Sequence, residues 1–112
     1  MDAAAALADL VEISPQISAA AVVAQSGELA GSVGVHEARA AGLARAVREL
    51  LDGAAAFRSD QGRVTQLHAE LAEGDLFAVA AEDQAIVAVA RERGTPGLVF
   101  YDLKRCLAAV SV

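Results

Sequence analysis

The chain carries few groups able to do chemistry: two histidines, one cysteine, eight arginines, one lysine and fifteen carboxylates. His36 precedes Glu37 at the start of an expected helix, where the helix dipole disfavours a protonated imidazole. Loop solvation or weak capping is the role that fits it. His68 stands in mid-strand between Gln66 and Glu70 on a polar face, exposed to solvent or placed at a seam between two copies. A metal site there would need further ligands at a spacing the sequence does not offer. Cys106 has apolar neighbours at helical spacing and reads as a small buried hydrophobe, with no motif supplying the base a nucleophile needs. There is no Gly-x-Ser-x-Gly elbow and no phosphate loop, and Gly27, Gly31 and Gly34 run through a hairpin without a dinucleotide fingerprint. Asp75, Glu82 and Asp83 read as caps on the turns of a meander, too sparse for a calcium loop. The expectation is no catalytic residue, no metal, no cofactor and no enzyme.

The elements that must position these residues follow from periodicity. Residues 2–13 form a short helix capped by Asp2, with Ala3, Leu7, Leu10 and Val11 on one face, ended by Ser14-Pro15. Residues 17–25 and 28–33 are strands joined by the Ser26-Gly27 turn. The first is apolar on both faces and so belongs in mid-sheet. Residues 37–57 are the longest helical pattern. Ala40, Leu43, Val47, Leu50, Ala54 and Phe57 give a core stripe, and Ala41, Ala44, Leu51 and Ala55 a second apolar row beside it. Arg45–Glu49 and Arg48–Asp52 are spaced as i,i+4 pairs on the remaining face. After a loop at 58–62, residues 63–71 alternate, with Val64, Gln66, His68 and Glu70 on one side and Thr65, Leu67, Ala69 and Leu71 on the other. Ala72-Glu73-Gly74 turns the chain into apolar strands 75–81 and 85–91. Thr95 as cap and Pro96 at the first position start a last helix that buries Val99, Leu103, Cys106, Leu107 and Val110. The order is α-β-β-α-β-β-β-α in an α/β (α+β) fold, one domain over residues 1–112, with helices on both sheet faces.

Composition narrows the partners. The chain is 55% apolar, which excludes disorder, but 28 of its 112 residues are alanine, so the core is made of small side chains that let helix and sheet approach closely. Nine basic against fifteen acidic residues give a net charge of −6, without the cationic stripe that nucleic acid or an anionic membrane requires. No stretch of about 20 apolar residues is present, nor a basic leader at the start. A single cysteine fits a reducing compartment, so the expected location is cytoplasmic.

The hairpin Ile17 to Val33 around Ser26-Gly27, the 37–57 helix, the strands from Val64 to Val89 and the closing Gly97-Leu98-Val99-Phe100-Tyr101-Asp102-Leu103 together resemble the Roadblock/LC7 family. That family includes dynein light chains and bacterial partners of Ras-like small GTPases. The resemblance implies a five-stranded antiparallel sheet in the order 2-1-5-4-3, the second helix on one face and the first and last on the other. It also implies a homodimer formed by the third strands and second helices, and a Ras-like GTPase docked on the helix face of that dimer.

Two features of the residues support the dimer. The 63–71 strand holds neither proline nor lysine, and would leave an open edge in the implied order. The second apolar row of the long helix either meets a twin or faces solvent; its small side chains would permit close approach. The expected contact surface is therefore Ala41, Ala44, Arg45, Arg48, Leu51, Ala55, Val64, Gln66 and His68. Arg39, Arg45 and Arg48 project from the helix and could face a phosphate-binding partner, although pairing with Glu49 and Asp52 accounts for the latter two. The function implied is a non-enzymatic regulatory or adaptor module that adjusts a GTPase nucleotide cycle. The alternatives are a purely structural dimeric scaffold and a profilin- or PAS-like small-molecule sensor.

Overall fold

Asp2 opens α1 (Ala3–Ile13) as expected: its carboxylate accepts the Ala5 N–H at 2.8 Å, satisfying one of the free donors of the first turn. The computed structural model describes residues 1–54, 66–72, 74–81, 83–91 and 95–110. The chain then forms β1 (Ile17–Ala24) and β2 (Leu29–Val33), antiparallel across the Ser26-Gly27 turn, where Gly27 takes φ +94°. Val22 pairs with Gly31 and Val23 with Leu29, so Ala30 is an extra residue that bulges and twists this outer strand. Gly34 ends β2 at φ +74°. A Cβ there would collide with the Ser18 carbonyl oxygen, so this exit toward the long helix requires glycine.

That helix is α2 (Glu37–Ala54); the His36 carbonyl accepts the Ala40 N–H at 2.8 Å at its start. The meander follows as β3 (Gln66–Leu71), β4 (Gly74–Ala80) and β5 (Gln84–Ala90), and α3 (Pro96–Ala109) closes the fold. Thr95 stands at the cap position of α3, but its side chain makes no capping hydrogen bond. Its carbonyl instead receives the Leu98 and Val99 N–H groups. All strand pairs are antiparallel and the sheet order is β2-β1-β5-β4-β3, the order implied by the family resemblance.

Two cores lie on the two sheet faces. On one, Leu7 and Leu10 of α1 and Val99 and Leu103 of α3 meet Val22, Phe77 and Ile86 of the strands. On the other, Ala40, Ala44, Val47 and Leu51 of α2 meet Ala21, Val23, Ala78 and Val87. The second core is largely alanine and valine, which brings the α2 backbone close to the sheet and compensates small side chains with dense contact. β1, β4 and β5 are buried on both faces, as their double-sided apolar patterns require.

The facing of α2 departs from expectation. Ala44 and Leu51, assigned to the spare row, are buried in the chain's own core at 0% and 4% exposure. Leu50, assigned to the core stripe, is 52% exposed, and Leu43 is only half-buried. The helix is rotated by less than half a turn from the expected facing. With apolar residues filling so wide an arc, side-chain volume did not single out the inward row. Ala55, Val64 and Phe57 lie outside the described residues.

Candidate interaction surface

β3 is the outermost strand at one border of the sheet, hydrogen-bonded on one side to β4. Its alternation is as expected: Leu67 and Ala69 turn toward the α2 side of the sheet and pack at the margin of that core. Gln66, His68 and Glu70 turn toward the α1/α3 side. β3 has no proline and no lysine over these residues, so its outer row of backbone donors and acceptors is chemically able to accept another strand.

The way His68 is held leaves no mark in the sequence pattern. Its ring stacks on Phe77, the residue opposite on β4, with centroids 4.4 Å apart and planes at 7°. Phe77 in turn meets Phe100 of α3 edge-on at 5.3 Å. His68 Nε2 lies 3.1 Å from Oδ2 of Asp75. Asp75, expected to cap the turn at the head of the 75–81 strand, is the second residue of β4 and only 2% exposed. A histidine held by a buried carboxylate is the orienting half of a nucleophilic triad. The sulfur of Cys106, however, is hydrogen-bonded to the Ala6 carbonyl at 3.4 Å, across the α1/α3 contact. Burial, with a smaller contribution from Asp9, raises its pKa to about 11, so at neutral pH it is a thiol packed as a hydrophobe. Among the described residues no three of His, Cys, Asp and Glu gather into a metal-binding group. The pair links the border strand β3 to its neighbour β4.

α2 presents two flanks around its buried row. One holds Ala41, half-buried, with Arg45 exposed and Arg48 half-buried. Among the described residues no ion pair joins Arg45 to Glu49 or Arg48 to Asp52, so these arginines remain available. The other flank holds Leu43, Ala46 and Leu50, with Gly42 and Gly53 beside them; a Cβ built on either glycine meets nothing within 4 Å. The expected site residues therefore do not form a single patch. Ala44 and Leu51 are internal, Ala41, Arg45 and Arg48 share one flank of α2, and Gln66 and His68 lie on the opposite sheet face from that helix. The exposed Leu50 is the feature that a helical wheel of so alanine-rich a segment did not reveal.

Among the described residues no helix is long and apolar enough to cross a membrane. No family model matches the chain, and no curated protein matches it. Solved structures do. A Roadblock/LC7 domain from Streptomyces avermitilis superposes with a TM-score of 0.86 at 18% identity, covering 97% of this chain and 94% of that one. MglB of Myxococcus xanthus gives 0.77 at 18% identity over 93% and 80% of the two chains. The gliding protein MglB of Thermus thermophilus gives 0.77 at 18% over 93% and 82%. At such identity the likeness is one of architecture, and with strand order, helix placement and element order in agreement, the chain has the Roadblock/LC7 fold.

Proposed function

We propose that the chain is a non-enzymatic regulatory module, a homodimer that binds a Ras-like small GTPase and shifts its nucleotide cycle. The observation that carries the reading is the exposed Leu50 flank of α2, in a fold whose border strand β3 pairs, among the described residues, with β4 alone. Leucine at 52% exposure on a helix flanked by Gly42, Ala46 and Gly53 is suited to close approach of a second helix, because small residues let backbones come near. The two features give a twin two places to dock, strand to strand and helix to helix. A two-fold axis would make each contact self-complementary. The dimer contact is thus drawn through β3, including Gln66 and His68, and through Leu43, Ala46 and Leu50 rather than through the buried Ala44 and Leu51.

The Ala41, Arg45 and Arg48 flank is the part of the proposed surface left for a partner of acidic or phosphate-bearing character. The GTPase itself comes from the family resemblance. The test is nucleotide hydrolysis and release by a Ras-like GTPase encoded beside this chain, measured with and without the protein. Altered rates support regulation. Binding with unchanged rates makes the chain a scaffold, and absence of binding refutes the GTPase assignment.

A further inference from the structure

A groove of 510 Å³ opens between the C-terminal half of α3 and the β4–β5 hairpin, on the sheet face opposite α2. Val79, Ala80, Leu107 and Ala108 supply apolar surface on its two sides. Gln84 fixes those sides relative to each other: its Nε2 donates to the Leu107 carbonyl at 3.1 Å, tying the hairpin to the last turn of the helix. The groove is therefore preformed, and its volume falls in the range of small-ligand sites.

Among the described residues two opposite charges line it. Lys104 is the only lysine of the chain and stands on α3, one turn before Ala108. Asp83 stands on the hairpin, across from it. Among the described residues neither side chain makes a hydrogen bond or an ion pair, with each other or with anything else. Opposite charges held apart across an apolar groove match a ligand that brings the complementary charges on an apolar body. A simple anion would gain at Lys104 and lose at Asp83, and a simple cation would do the reverse. We infer that this groove binds a small zwitterion of the amino-carboxylate class, its carboxylate toward Lys104, its ammonium toward Asp83 and its hydrocarbon part on Val79 and Leu107. This inference is independent of the GTPase reading.

The test is a titration of the full chain followed by ¹H–¹⁵N NMR with leucine, phenylalanine and 6-aminohexanoate, against hexanoate and hexylamine as single-charge controls. At least one zwitterion should give saturable shifts confined to the hairpin and the end of α3, with a Kd roughly tenfold lower than either control. Lys104→Gln and Asp83→Asn should each weaken binding by about fivefold, the scale of one exposed charge pair. Ala108→Trp, at an exposed position, should fill the groove and abolish the shifts while the spectrum stays dispersed; Ala81→Trp serves the same end from the other side. No saturable shift from any zwitterion, equal binding of the controls, or binding indifferent to both tryptophans would overturn the inference.

Discussion

Nε2 of His68 sits 3.1 Å from Oδ2 of Asp75, and this contact, with the ring stacked on Phe77, fastens the border strand to the body of the sheet. Asp75 is buried, and its other oxygen has no hydrogen-bond partner among the described residues, so the carboxylate depends on the imidazole. His68→Ala should therefore destabilise the fold by about 1–3 kcal/mol, the cost of leaving a buried acceptor unmet together with a lost ring contact. A double-mutant cycle with Asp75→Ala, read by urea denaturation, should return a coupling above about 0.5 kcal/mol. Additive effects would mean that the pair holds nothing.

Glycines in this chain are predicted to behave in opposite ways. Gly34→Ala should cost more than about 1 kcal/mol, because its positive φ and the Ser18 carbonyl leave no place for a Cβ. Gly42→Ala and Gly53→Ala meet open space within one chain, and each should stabilise α2 by roughly 0.5–1 kcal/mol. If a second helix packs on that flank, the same two substitutions weaken the dimer while stabilising the monomer. Thermal unfolding at several protein concentrations separates the two effects.

Cys106 provides the pH dependence. With its pKa raised to about 11 by burial, then by Asp9, the thiol should react with a maleimide at pH 7 at least about a hundredfold more slowly than in the unfolded chain. The folded state holds the proton more tightly than the unfolded state. The unfolded chain thus binds fewer protons in the window above the ordinary thiol value, and stability falls as pH rises from about 9 to about 11. Cys106→Ala should remove that slope; a slope unchanged by the substitution would assign it to other groups.

The strands were legible in the sequence because period-two alternation and glycine turns mark where each strand runs and which of its residues share a face. The His68–Asp75 pair was not, and the reason is one residue. A three-residue turn at Ala72-Glu73-Gly74 sets Leu71 opposite Asp75, which puts His68 and Asp75 on different faces of the sheet. In the structure Leu71 pairs with Gly74, so His68 falls opposite Phe77 and beside Asp75. The facing of α2 was obscured for a different reason. Leucine and alanine stand on both neighbouring rows, so hydrophobicity identified a wide arc without locating its centre. Burial then chose Ala44 and Leu51 over Leu43 and Leu50. The groove beside Lys104 left no periodic signature, since it arises where a hairpin and a helix end meet.

Light scattering across a size-exclusion column, on the unmodified chain and on Leu50→Glu, tests the dimer most directly. A dimer through β3 and α2 gives twice the 11.4 kDa of one chain for the former at micromolar concentration. Leu50→Glu should be a folded monomer, because that side chain is exposed within one chain and a charge there costs the fold little. A single-chain mass for the unmodified protein, or a dimer that tolerates glutamate at position 50, would contradict that arrangement.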